Sequence, residues 1–304
     1  MLKTFFYRIF YFPAINLIVR SILILFKKYL PNSMKIPVSG ILKIKTDKNK
    51  NIKFLSNESC PMVKVLFWKG SDYSFEFTSI FNHLAKKSNT FLDIGSNVGY
   101  YSLMGKTVNP AMKVYAFEPS LGPKYFLKEN IRLNGFDSIV LIDKALGNYH
   151  GTIDFYEEKN PKYPYLKHHA SGIGNTVNSW GIENFSKYTV ELTTVDQIIK
   201  DLKIESIDLI KMDTEGTENL VLEGGIESIL KHQPIIICEV LKDHIESEIQ
   251  DIVLNKLKYK IFQFQSKSNT LKAIDKFDCD NSEPNYFFVP EQRINELETF
   301  IVPS

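Results

Sequence analysis

The pattern of apolar and polar positions divides the chain into stretches with different periods. Between residues 4 and 26 Phe, Ile, Leu, Val and Tyr dominate, but Arg8, Pro13, Asn16 and Arg20 interrupt them before any run reaches the roughly 20 residues that span a bilayer. Wound as a helix from Ala14 to Leu30, this segment gathers Asn16, Arg20 and Lys27 on one narrow stripe and leaves apolar side chains around the rest. Such a helix either lies in the plane of a membrane, its cations toward anionic headgroups, or packs on the protein's own body or a partner chain. The interrupted apolar region, with no small-residue cleavage site after Phe26, fits a signal peptide poorly.

From Met34 to Lys69 the period shortens. Gly40 to Lys45 and Ile52 to Leu55 alternate around the turn-rich Asp47 to Asn51 and read as a hairpin. Near residue 76 helical spacing returns, with Phe77, Ile80, Phe81 and Leu84 on one face. After residue 89 strand-like and helix-like stretches take turns: Thr90 to Ile94, Lys113 to Phe117, Ile139 to Ile142, Ile207 to Met212, Pro234 to Val240 and Tyr259 to Phe264 are apolar runs of strand length. That rhythm predicts an α/β fold with a doubly wound parallel sheet. Pro123 opens a helix that Asn134-Gly135 closes, and Leu222, Ile226, Ile229 and Leu230 form one face of another that stops at Pro234. Asn285 to Val289 follows too closely for a helical crossover and is expected to run antiparallel. The chain thus divides into a basic apolar helical segment (1–33), a hairpin and helix extension (34–88) and a sheet domain (89–304). Within the last, the aperiodic 158–187 insertion, with Tyr163, Tyr165, His168, His169, Trp180 and Gly181, reads as a substrate-covering loop.

Composition narrows the class. With 304 residues, 44% of them apolar, the chain buries a core without staples, removing about 75% of its unfolded surface. Cys60, Cys238 and Cys279 are odd in number and lack C-x-x-C spacing, which argues for a reducing compartment, the cytoplasm, and against a disulfide framework or thiolate zinc. Eight Lys or Arg and no acid lie in residues 1–46. The other 258 residues carry 29 basic and 35 acidic side chains, a net charge of −6. Only Arg8, Arg20, Arg132 and Arg293 supply guanidinium groups, so a nucleic-acid partner is disfavoured.

In open α/β sheets ligands sit beyond the carboxyl ends of the strands, and four polar clusters occupy such positions. Asp93-Ile94-Gly95-Ser96-Asn97-Val98-Gly99 follows the first strand. Gly95 and Gly99 let backbone approach a ligand, and Asp93 can accept from a cationic amine. Without a third glycine the spacing supports a nicotinamide cofactor only weakly. Glu118, followed by Pro119, ends the next strand and is placed to take both hydroxyls of a ribose. After the third strand Asp143 and Ala145 stand where an adenine ring would lie. After the fourth, Asp213, Glu215 and Glu218 crowd beside Lys211, three acids that call for a cation or a ligand to offset them.

These blocks, with Thr194-Val195-Asp196, Leu222-Glu223-Gly224 and Pro234 to Glu239, resemble the FkbM family of S-adenosylmethionine-dependent methyltransferases over about residues 90 to 264. The resemblance implies a Rossmann-like class I methyltransferase fold of seven strands with the last antiparallel, cofactor over Gly95 to Gly99, and Glu118 on the ribose. Most family members are regarded as O-methyltransferases, so a hydroxyl of a sugar, glycan intermediate or secondary metabolite is the expected acceptor. Methyl transfer is an in-line displacement that needs alignment and proton removal rather than a covalent nucleophile. Base candidates are Asp213, Glu215, His168 and His169, with Glu239 as a neighbour, and the acidic cluster could alternatively hold Mg²⁺. Two rivals remain: a nucleic-acid methyltransferase, which would carry Asn-Pro-Pro-aromatic where Asp213-Thr214-Glu215-Gly216 stands, and a non-catalytic membrane-bound interaction protein that keeps the fold. Residues 1–30 are the candidate contact with an anionic inner membrane face, the alternative being a helix packed on the protein's own body or a partner chain. The sequence leaves oligomeric state open.

Overall fold

Two apolar helices, α1 (Leu2–Phe10) and α2 (Pro13–Leu23), open the chain and meet at a 72° bend. Pro13 stands at the first turn of α2, where its missing N–H costs nothing to α2 but cannot continue α1. The single helix expected from Ala14 to Leu30 is therefore one of a bent pair, and it closes in a 3₁₀ turn at Ile24–Phe26. The structure, a computed structural model, describes residues 2–46, 50–69, 75–170, 172–174, 185–241, 245–277 and 283–302. Asp47 to Asn49 of the predicted turn, Trp180, Gly181 and Cys279 lie outside the described residues.

Strands β1 (Gly40–Lys45) and β2 (Asn51–Ser56) pair antiparallel as the alternation predicts. The next segment departs from the expected extended pattern: α3 (Pro61–Lys69) is a helix that buries Val63, Leu66 and Trp68. Its run of apolar residues has neither a strand's nor a helix's clean period, and packing decided its form. Helix α4 (Thr78–Ala85) follows with the predicted face inward.

The sheet domain begins with β3 (Thr90–Ile94), α5 (Tyr100–Val108), β4 (Lys113–Phe117), α6 (Leu121–Asn134) and β5 (Ile139–Ile142). Gly135, left-handed at φ +66°, closes α6. A second sheet then interrupts the main one. Its strands are β6 (Ala145–Leu146), β7 (Gly151–Glu158), β8 (Gly172–Gly174) and β9 (Phe185–Thr193), in the order β6-β9-β7-β8. The chain continues through α7 (Val195–Asp201), β10 (Leu209–Met212), α8 (Glu218–Glu223), α9 (Ile226–His232) and β11 (Ile235–Glu239). It ends with α10 (Glu246–Gln250), β12 (Lys260–Gln265), β13 (Thr270–Ile274) and β14 (Asn285–Val289).

The main sheet runs β13-β12-β14-β11-β10-β3-β4-β5. Strands β5, β4, β3, β10 and β11 are mutually parallel, and β14 pairs antiparallel with both β11 and β12, as expected for the last strand. This is the doubly wound, Rossmann-like sheet the rhythm predicted, with an eighth strand, β13, added at the edge. The helix expected through Leu222 and Ile226 is two helices broken at Gly224-Gly225, and Gly224 packs so closely on the Gly147 backbone that a Cβ would lie 1.9 Å from its carbonyl oxygen. Leu230 consequently leaves the inner face and is exposed.

Successive residues of β3 feed opposite faces. Phe91 enters a core shared with Phe54 of β2, Val63 of α3 and Phe81 of α4, while Leu92 and Ile94 enter a second core with Val195, Val221 and Ile236. The 34–88 extension thus shares its core with the sheet. Asn130 and Asn134 of α6 reinforce the union by accepting the Leu55 and Lys53 backbone N–H groups at 2.6 and 2.8 Å.

Candidate active site

The strand order changes direction between β3 and β10, and a crevice opens there at the carboxyl ends. The loop after β3 is built to touch the end of β10. Gly95, at φ +70°, would place a Cβ 1.9 Å from the Asp213 carbonyl oxygen, so only glycine fits. Lys211 Nζ donates to the Gly95 carbonyl at 3.1 Å and to Asp213 Oδ2 at 3.2 Å, joining the same two segments from the side-chain layer.

Glu118, at the end of β4, is buried. Its Oε2 accepts from Asn97 N and its Oε1 from Ser120 N, each at 2.8 Å. Burial raises its pKa, and these backbone donors oppose the rise. Each oxygen retains a lone pair for a further donor. Asn97 reaches this position through a left-handed backbone, φ +50°.

Across the crevice β10 ends in the acidic loop. Glu218 accepts from Thr214 N at 2.6 Å, Gly216 N at 3.1 Å and Thr214 Oγ1 at 3.0 Å, so one of the three crowded acids folds the loop itself. Glu215, at φ +59°, is pushed up to about 7 by burial and by the charges of Asp213 and Glu218. Glu239, from the end of β11, hydrogen-bonds Asp213. Burial and the Asp213 charge hold its pKa far above the usual carboxylate range, so one proton stays with the pair. Burial works to lower the Lys211 pKa, but Asp213, Asp93 and Glu76 outweigh it and keep the ammonium charged.

The cavity between these elements measures about 170 Å³. Of the residues predicted from sequence, it brings together Gly95, Asn97, Glu118, Pro119, Ala145, Asp213 and Glu215. The others lie outside its lining. Asp93 is fully buried, with Oδ2 accepting from Ser102 N and Oγ at 3.0 and 2.6 Å, while its Oδ1 has no hydrogen-bond partner among the described residues. Ser96 donates to the Asp93 and Phe117 carbonyls, and Gly99 leaves room for Leu127 to pack. Asp143 faces solvent in an ion pair with Lys124 at 3.4 Å. Lys211 acts from behind, between the cavity acids and the Tyr101 ring.

The two histidines are likewise not brought to the cavity. The His168 ring stacks on Tyr125 at 4.1 Å and its carbonyl accepts from Asn57 Nδ2. The His169 carbonyl lies over Gly122 at the start of α6. Residues 163–170 of the insertion are held to the amino-terminal region rather than over the crevice, with Tyr165 donating to Glu58 and Ala170 N to Ser59 Oγ. What covers the crevice is the second sheet, through Ile153, Phe155 and Leu192, a wall the sequence reading missed. The signal was present in the period-two run Tyr188, Val190, Leu192 of β9. Among the described residues no three His, Cys, Asp or Glu side chains gather to hold a metal ion.

A parallel sheet of this order, with an acid at the tip of its second strand facing a glycine loop, defines a Rossmann-like class I methyltransferase fold. Residues 93–264 match the methyltransferase FkbM domain, and the chain belongs to that family. It is 27% identical over 152 residues to the 2-O-methyltransferase NoeI of Sinorhizobium fredii, covering 49% of this chain and 62% of that protein. It is 29% identical over 163 residues to the methyltransferase sdnD of Sordaria araneosa, covering 45% and 61%. The chain thus spans about three fifths of the length of these relatives. Among solved structures, the methyltransferase FkbM of Methylobacillus flagellatus aligns at 14% identity with a TM-score of 0.46, over 74% of this chain and 52% of that one.

Proposed function

We propose that the chain binds S-adenosylmethionine in this crevice and methylates a hydroxyl oxygen of a sugar, glycan intermediate or other secondary metabolite. The observation that carries the reading is the pairing of Glu118 on one wall with Asp213 and Glu215 on the other, across a glycine that lets the two walls touch. The residues present fit the cofactor. Glu118 retains acceptor capacity for two ribose hydroxyls, Pro119, Ala145, Leu146 and Phe155 offer flat apolar surface to a base, and Asp93 holds a buried, unpartnered carboxylate oxygen close to the Gly95 loop.

When bound, the sulfonium supplies an electrophilic methyl group. Everything else falls to the chain. Gly95 and Asn97 shape the floor, and the second sheet excludes water. Asp213 would take the proton from the acceptor hydroxyl as that oxygen displaces a neutral thioether from the methyl carbon, the carbon–sulfur bond breaking as the carbon–oxygen bond forms. The hydrogen bond from Glu239 and the ammonium of Lys211 hold Asp213 in place. Oxygen as the methyl acceptor is supported by NoeI, whose name describes 2-O-methylation. The test incubates the full chain with methyl-labelled S-adenosylmethionine and extracts of glycans and lipid-linked sugars. Alkali-stable label in a sugar fraction is expected, and failure of calorimetry to detect S-adenosylmethionine binding would sink the reading.

A further inference from the structure

The helix pair at the amino end is turned inside out. In α2 the buried residues are Asn16 and Arg20, 0% and 4% exposed, while Ile18 and Leu25 on the same stretch are 62% and 78% exposed. The polar stripe is consumed by the body of the protein. Asn16 accepts from Ser39 N at 2.8 Å and donates to the Pro37 carbonyl at 3.1 Å. Arg20 donates to the Ile41 carbonyl at 2.8 Å and lies over the Phe67 ring, and Lys27 donates to the Lys69 carbonyl at 2.8 Å. Helix α1 is fixed beside it by Tyr7 and Tyr11, whose rings meet Tyr163 edge-on at 5.9 and 5.6 Å. The outward face carries Phe5, Phe6, Phe12, Ile18, Ile22 and Leu25, all exposed. A cluster of exposed large apolar side chains on one short segment marks an interaction surface.

We propose that α1, α2 and the 3₁₀ turn after them form a docking face that seats the protein in the plane of a bilayer containing anionic lipid. Charge selects this occupant. Lys3, Arg8 and Lys28 stand exposed on the same segment, residues 1–46 hold eight bases, of which Arg20 and Lys27 are bound to the body, and no acid, and the remainder of the chain is net negative. Anionic headgroups attract that edge and leave the acidic body facing water. A second copy of the chain would instead set these cations against their own counterparts across a two-fold axis. No single described helix is long and apolar enough to span, and although the bent pair of α1 and α2 together has the length, the polar stripe of α2 is already bound to the body.

The experiment floats the full chain with phosphatidylcholine vesicles, with and without phosphatidylglycerol, at low salt. The wild type is expected to float with the anionic vesicles and to be released as salt rises. A variant carrying Phe5→Ser, Phe6→Ser, Ile18→Ser and Leu25→Ser removes only exposed side chains, so its unfolding midpoint should match the wild type while its partition falls at least tenfold. A second variant, Lys3→Glu with Arg8→Glu and Lys28→Glu, should lose the preference for phosphatidylglycerol. Three results would each overturn the proposal: a wild type that ignores anionic vesicles, a serine variant that floats as well as the wild type, or a lipid-free dimer that the serine variant converts to monomer.

Discussion

At the crevice, carboxylates are drawn out of water. At the amino-terminal helices, aromatic and aliphatic side chains are pushed into it. Both regions reverse the usual partition of residues between core and surface, but they compensate for it differently. The buried acids are served from within the chain: two backbone N–H groups for Glu118, three donors for Glu218, Ser102 for Asp93, and one ammonium, Lys211, among Asp93, Asp213 and Glu76. The helices are served on one side only, because Asn16 and Arg20 satisfy the body while nothing in the described chain covers Phe5 or Ile18. The first region finds most of its compensation within the chain, Asp93 Oδ1 excepted, and the second requires surroundings. Breaking the rule inside a site prepares chemistry, and breaking it on a surface prepares contact.

The contrast breaks most visibly if the internal compensation is removed. Lys211→Met leaves Asp213 and Asp93 without their cation and should cost about 3–5 kcal/mol in urea denaturation, the range for stripping one partner from a buried ion pair. A loss below about 1 kcal/mol would mean that the acids neutralise one another by sharing protons. Asp213→Asn keeps the shape but removes the proton acceptor. Turnover should fall by ~10²-fold or more with S-adenosylmethionine affinity unchanged, while the unfolding midpoint shifts by what the lost ion pair with Lys211 contributes, and activity within a few-fold of wild type would move proton removal to Glu215. Glu118→Ala should weaken S-adenosylmethionine binding in calorimetry by at least tenfold, about 1.5–3 kcal/mol for a charged hydrogen-bond partner.

The smallest effect sharpens the comparison by pH. Glu215 has a folded pKa of about 7, raised above its ordinary value, so the folded state holds this proton more tightly than the unfolded chain does. Its contribution to stability is therefore present at acid pH and is lost as pH rises from about 4.5 toward about 7. Unfolding midpoints of wild type and Glu215→Gln, followed across that window, should show the wild type losing ground to the variant. Parallel curves would mean that Glu215 titrates as an ordinary surface acid.

Strands buried on both faces were readable from sequence almost to the residue. Thr90 to Ile94, Lys113 to Phe117 and Asn285 to Val289 are apolar runs between turn residues, and burial requires that composition. Strand β13, with Lys272 and Ala273 exposed at the sheet's edge, lacks such a run and was missed. In the site, Gly95, Glu118 and Asp213 were legible because chain order fixes which strand tips meet at the crevice. His168 and His169 misled because residue chemistry does not reveal that Asn57, Tyr125 and Gly122 capture that segment. The stripe of Asn16, Arg20 and Lys27 was visible as well, but periodicity identifies two faces without saying which one turns inward.

The contact between Gly95 and the Asp213 carbonyl also limits how such a site can diversify. With no space for a Cβ at Gly95, the spacing between the glycine loop and the acidic strand is set by backbone against backbone, like two jaws resting on a fixed stop. Side-chain changes in the loop cannot shorten or lengthen it. New acceptors must then be accommodated by the opposite wall, where Ile153, Phe155 and Leu192 project from a separate small sheet that can be resized without moving the stop. Libraries aimed at changing the acceptor should vary Ile153 of β7 and Leu192 of β9 and leave the glycine loop and the base-facing Phe155 alone.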